Sequence, residues 1–373
     1  MSMPPSGGWP PPQQPNPPFN QGQPYGQPGY PPQQPPPGWP QQTPPPKQNG
    51  SLKWLLIGVA VLLVIGITVG ATLLFTRDGG AGSTSPTSNS TSDIASANDT
   101  GPVSVITTEP TCNAFVGINN SLADIQAKGW GAQRSTLGPR QSWTPDQLAQ
   151  VELVTKATQN AADQMAPLAR QTPNRVVARL YEQFISYGRA YADSINDYTP
   201  ADNGLASANV NASSALVGIC NAITYGSAAR SVALDPVKPP STDKPADISS
   251  PQRFITDKDA ACTSFQQLSD QFDVEAAEWQ RMDSSIPANQ WTPEQRATQA
   301  AALPAMSNWA DGMEKVGRES NNPTLEDFAA TAAVYLRAYI AVGDNYTATD
   351  SWLSYVSLKL NQVVLGACRA VSG

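Results

Sequence analysis

The chain has 373 residues, with 23 Lys and Arg against 30 Asp and Glu, a formal net charge of −7. No Lys/Arg block occurs anywhere, which excludes the basic footprint of a nucleic-acid-binding protein. The complete lack of histidine removes the commonest general base, the usual serine and cysteine triads and most zinc sites, so neither an enzyme nor a metal or cofactor protein is expected.

Residues 1–53 form a Pro/Gln/Gly-rich tail. Of the 36 prolines, 19 fall within residues 1–50, together with a single charged side chain, Lys47. Such a stretch lacks the apolar side chains that offset the entropy of ordering it. Short polyproline II stretches at Pro10–Pro12, Pro35–Pro37 and Pro44–Pro46 suit either a ligand for polyproline-binding modules or a solvated tether. Trp54 to Phe75 is 22 residues without a charge, which predicts one transmembrane helix. Lys47 and Lys53 before it, against Arg77 after it, place the N-terminus in the cytoplasm. All four cysteines lie beyond this segment, as suits an oxidising compartment. A plasma-membrane protein with its C-terminal part outside is therefore expected. Residues 76–110 read as a Ser/Thr/Gly-rich spacer and 226–252 as a Pro-rich linker between two domains.

The order of segments, with the sequence PPQQPPPGWP inside the tail, resembles the proline-rich membrane proteins of mycobacteria and related actinobacteria. The resemblance covers residues 1–110 and implies a plasma-membrane protein facing the cell wall. It transfers no active-site residue.

Residues 111–225 and 253–373 are two copies of one helical domain. Cys112, Phe115, Ile118 and Leu122 meet Cys262, Phe265, Leu268 and Phe272 at an offset of 150; Trp130 meets Trp279 at 149. At 148, Trp143-Thr144-Pro145-Asp146-Gln147 meets Trp291-Thr292-Pro293-Glu294-Gln295, Tyr187-Gly188-Arg189-Ala190-Tyr191 meets Tyr335-Leu336-Arg337-Ala338-Tyr339, and Cys220 meets Cys368. Helix one carries Phe115, Ile118, Leu122 and Ile125 at spacings of three and four. Helix three carries Val177, Leu180, Phe184, Tyr187, Tyr191 and Ile195 on one stripe; strand patterns are missing. The fold class is all-α: two tandem antiparallel four-helix bundles behind one transmembrane helix and a disordered tail.

In an up-down-up-down bundle the start of helix one and the end of helix four share a pole, which pairs Cys112 with Cys220 and Cys262 with Cys368. Thr144-Pro145-Asp146-Gln147 and its counterpart read as capping boxes opening helix two, with Trp143 and Trp291 in the staple position. Asp202 and Asp350 read as N-caps of helix four. The Tyr-x-Arg-Ala-Tyr motif is the one candidate ligand site. Tyr187, Arg189 and Tyr191, with Tyr335, Arg337 and Tyr339, would line a polar pocket between helices for an anionic or glycan ligand. The bland reading makes them core tyrosines, with each arginine held by a neighbouring carboxylate. The leading functional expectation is a membrane-anchored envelope interaction protein whose tail recruits protein partners and whose outer domains bind a cell-wall or lipid ligand. The alternative is a small-ligand carrier or sensor holding a lipid or glycan.

Overall fold

A computed structural model describes residues 94–231, 236–238, 248 and 250–372. Every regular element among them is helical; the sole β pairing is an isolated antiparallel bridge between Val103 and Val237. Repeat 1 contains four long helices: α1 (Cys112–Gln126), α2 (Pro145–Gln171), α3 (Arg175–Ser194) and α4 (Asn203–Thr224). Repeat 2 contains α5 (Ala260–Glu275), α6 (Pro293–Glu319), α7 (Pro323–Val342) and α8 (Ser351–Ala370). One-turn helices fill the connections.

Within repeat 1, α1 packs on α2, α2 on α3, α3 on α4, and α4 closes back on α1; repeat 2 follows the same cycle. Local chemistry sets the helix starts. Thr144 accepts the Gln147 N–H (3.2 Å) while Gln147 Oε1 accepts the Thr144 N–H (2.9 Å), and Thr292 and Gln295 repeat this geometry. Two orphan amide groups are thereby satisfied at each start, with Pro145 and Pro293 at positions that need no N–H. Asp202 and Asp350 do not cap α4 and α8 with their side chains. Each turns back to the Thr199 or Thr347 N–H (2.7 and 2.8 Å), closing a capping box on the preceding 3₁₀ turn.

Disulfides join Cys112 to Cys220 and Cys262 to Cys368. Each ties the start of helix one to the end of helix four. A second tie between the same helices repeats with its chemistry exchanged. Ser213 donates to Asn119 Oδ1 (2.8 Å) in repeat 1, whereas Asn361 pairs with Ser269 (2.9 Å) in repeat 2. The serine and the asparagine have traded places and the hydrogen bond remains.

The expectation of a single-pass membrane architecture is corrected. Among the described residues, no helix is long and apolar enough to cross a membrane. A span needs roughly 20 predominantly apolar residues; α4 and α8, both largely buried, are interrupted by Asn and Ser and bury themselves in protein. The stretch 54–75, where the span was expected, and the tail 1–53 lie outside the described residues. The membrane as a partner and the plasma-membrane localisation rested on that span and are withdrawn with it.

The two repeats form one body. Its most extensive helix pairing runs between them, α4 against α8. Gly204 lies on Ala370, Ala208 on Gly366 and Gly218 on Val356, so the helices run antiparallel in one register. A Cβ on Gly366 would fall 2.6 Å from the Ala208 amide nitrogen. Small residues let the two backbones approach closely. Gly218 and Gly366 are 148 positions apart, as are Ala208 and Val356, so these contacts are related by a pseudo-two-fold axis, like those of an isologous dimer.

Candidate functional site

The groups singled out in the sequence fall into three places. Arg189 and Arg337 sit on the outer face. Arg189 reaches Asp163 (3.1 Å) on α2; Arg337 reaches Asp311 and Glu314 (both 2.7 Å) on α6. These pairs hold α3 to α2 and α7 to α6.

Tyr187 and Tyr335 are fully buried between the repeats. The Tyr335 hydroxyl accepts the Ile106 N–H (3.2 Å), and the Tyr187 hydroxyl donates to the Ile255 carbonyl (3.2 Å). Ile106 lies in the segment leading into repeat 1, and Ile255 in the one leading into repeat 2. Each repeat thus sends an arm to the tyrosine of the other. The arm of repeat 2 is gripped further. Gln183 on α3 donates to the Gln252 carbonyl and accepts the Phe254 N–H (both 3.0 Å), and the Phe254 ring sits edge-on between Tyr187 and Phe328. The arm of repeat 1 carries Glu109, which accepts from the Thr111 N–H (3.0 Å) and from the Thr111 and Thr172 hydroxyls (both 2.7 Å). Residues 94–110, expected as spacer, are to this extent part of the body. Burial pushes the Tyr187 and Tyr335 hydroxyls well above the ordinary phenol range.

Beside the arms lies a charge cluster that the sequence did not announce. Asp327 on α7 is fully buried. It accepts from Arg175 Nε (2.8 Å) and Nη2 (3.1 Å) and from Arg179, both arginines of α3. Arg175 also holds the carbonyls of Asp99 (2.7 Å) and Gly101 (2.9 Å). Arg179 and Asp327 are equivalent positions 148 apart. On the pseudo-axis a residue meets its own counterpart, where like charges would repel; here the two copies carry opposite charges. A second cross-repeat pair joins Arg230 to buried Asp350. The signal for the first cluster was visible as Arg against Asp at one matched position.

Tyr191 and Tyr339 belong to the third place, an aromatic frame at one pole of each repeat. In repeat 2, Trp279 meets Tyr339 (5.5 Å between ring centres), Tyr339 meets Tyr346 (5.8 Å) and Trp291 stacks on Tyr346 (5.4 Å). Trp279 Nε1 donates to the Tyr339 hydroxyl (2.9 Å), which donates to Gln299 (3.1 Å). Repeat 1 matches the ring contacts with Trp130, Tyr191, Tyr198 and Trp143. Burial pushes the Tyr191 and Tyr339 hydroxyls up to about 12. At the frame of repeat 2 lies a small recess lined by Trp279, Asp283, Trp291, Tyr346 and Ser351 among others, most of them buried. The structure therefore does not gather Tyr187, Arg189 and Tyr191 around one pocket: the first clasps an arm, the second pairs on the surface and the third supports the polar frame.

Residues 94–373 match the family described as Mycobacterial ESX-1 associated protein. The chain belongs to that family. An uncharacterized protein of Mycolicibacterium smegmatis (strain MKD8) is 41% identical over 337 residues, covering 88% of each chain. No solved structure matches. The mycobacterial origin implied by the tail is thus the family's, whereas the kinship is with ESX-1 associated proteins, not with proline-rich single-pass membrane proteins. The matched region begins at the arm of repeat 1 and takes in both repeats.

Proposed function

We propose that the chain acts in the mycobacterial ESX-1 context as a non-enzymatic interaction protein, a rigid helical body that binds protein partners through its surface. The observation that carries this reading is the interior: both bundle axes are filled by side chains such as Phe115, Leu180, Phe184, Phe265, Phe328 and Leu360 in one continuous core. A lipid or glycan carrier needs internal space, so that alternative loses ground. The polar side chains of the repeat interface are spent on arms and helices, which leaves the outer faces and the poles for recognition. The Pro/Gln/Gly-rich tail offers a second contact surface, supported by its composition alone.

The test is genetic and quantitative. The gene is deleted in its mycobacterial host and ESX-1-dependent proteins in the culture filtrate are measured by mass spectrometry. A changed level of those proteins, restored by the wild-type gene and not by a variant that unfolds the body, is expected. Unchanged secretion would overturn the assignment to this context.

A further inference from the structure

Two guanidiniums, one from each repeat, converge on one face of α4 without a carboxylate to neutralise them. Arg134 donates to Asn203 Oδ1 (2.6 Å) and lies 5.4 Å from the Trp130 ring centre. Arg369, near the end of α8, donates to the Ser207 hydroxyl (3.1 Å). Asn203 and Ser207 are four residues apart on α4, which puts their Cβ atoms about 5–6 Å from each other. Arg369 is exposed and Arg134 half-buried, so both are open to an approaching group. Among the described residues neither arginine is in an ion pair. The carboxylate next in sequence to Asn203, Asp202, is spent on the Thr199 N–H (2.7 Å) and hydroxyl (2.9 Å).

We propose that Arg134 and Arg369 together form a docking site for a carboxylate presented by an acidic segment of a partner protein. The fold itself does not require the pair. At the pseudo-symmetric place beside the start of α8, Asp283 stands for Arg134, each four residues after the frame tryptophan, and Asn221 stands for Arg369. Elsewhere the chain answers its own guanidiniums with carboxylates: Arg175 and Arg179 share Asp327, and Arg337 takes Asp311 and Glu314. The Asp327 cluster is the template for the occupied state, two arginines on one carboxylate joined by charge-assisted hydrogen bonds. The empty pair carries a cost that such a group relieves. Burial lowers the Arg134 guanidinium from its ordinary value, and partial burial followed by the Arg134 charge lowers that of Arg369. Each guanidinium is already fixed by a neutral acceptor, so little side-chain freedom is left to lose on binding. The proposal deepens the interaction reading above and rests on it for the kind of partner.

The test titrates the full chain into a fluorescently labelled, blocked peptide of alternating Glu and Gly, and into the same peptide with Gln in place of Glu, and reads anisotropy. Saturable binding is expected for the Glu peptide and none for the Gln peptide. Arg134→Gln and Arg369→Gln should each weaken binding about tenfold or more, whereas Arg170→Gln, at an exposed arginine of α2, should leave it unchanged. Arg369 is exposed, so its variant is expected to keep the wild-type unfolding midpoint and carries the test even if Arg134→Gln loses stability. No saturable binding, an equal response to the Gln peptide, or undiminished binding by Arg369→Gln would overturn the site. Inorganic phosphate binding the chain more tightly than the Glu peptide does, and losing that affinity in Arg369→Gln, would overturn the assignment to a carboxylate. None of these readouts depends on a secretion phenotype, so this proposal and the ESX-1 assignment can fail separately.

Discussion

Asp327 is the residue on which the junction between the repeats most depends. A carboxylate with no exposure, shared by Arg175 and Arg179, offsets two buried cations. Removing one partner of such a group costs about 3–5 kcal/mol, because the remaining charges stay desolvated. Asp327→Ala is therefore expected to lower stability by that amount in urea unfolding, whereas Asp163→Ala, at an exposed pair with Arg189, should cost less than about 1 kcal/mol. The buried tyrosines set a pH limit. Tyr191 and Tyr339 titrate near 12 in the folded protein against 10.0 for a free phenol. The folded state therefore keeps protons that the unfolded state has already released. Their contribution is complete below pH 10 and is lost as pH rises towards 12. Titration at the phenolate absorbance band should show a late group of tyrosines ionising together with unfolding; a single titration near 10 with the fold intact would contradict this.

At the scale of elements, the helix starts were legible because each depends on three or four adjacent residues. Thr-Pro-Asp-Gln specifies a capped helix whatever surrounds it, and Thr144→Ala or Thr292→Ala is expected to cost about 1 kcal/mol in thermal unfolding. The face by which α4 meets α8 was not legible. On α4 the contacting positions are Gly204, Ser207, Ala208 and Gly218, residues that carry little hydrophobic signal and matter through what they lack. Gly366→Ala would press a methyl onto the backbone of Ala208, and Gly218→Ala onto the side chains of Val356 (2.8 Å) and Tyr355 (2.9 Å). Side chains can rotate away and backbone cannot. Gly366→Ala should then show the larger loss of the two, on the order of 1–3 kcal/mol, read as a shift in denaturation midpoint. The disulfides close loops with sequence separations of 108 and 106 residues. Replacing either cystine by two serines is expected to cost up to about 4.7 kcal/mol in the loop-closure account.

The whole molecule shows where reading along the chain ran out. Internal duplication is a comparison of the sequence with itself, so matched tryptophans, tyrosines and cysteines exposed it directly. The relation between copies is a matter of tertiary contact. Ile106 reads as a spacer residue and Ile255 as the opening of repeat 2, yet Tyr335 and Tyr187 hold their backbones across the junction, and no periodicity marks an exchanged arm. The Tyr-x-Arg-Ala-Tyr motif drew attention for a pocket, and its first tyrosine proved to be the clasp. The apolar stretch 54–75 lies outside the described residues, and the membrane architecture built on it has no counterpart within them.

Arm exchange, the close α4–α8 pairing and the Asp327 cluster together make the repeats one cooperative unit, with neither copy keeping its interface covered alone. Hydrogen exchange across a denaturant series tests this most directly, comparing peptides from α1 and α2 with peptides from α5 and α6. One shared midpoint is expected, and Asp327→Ala should move both sets of peptides equally. Two separate midpoints, or a shift confined to repeat 2, would contradict a single pseudo-symmetric body.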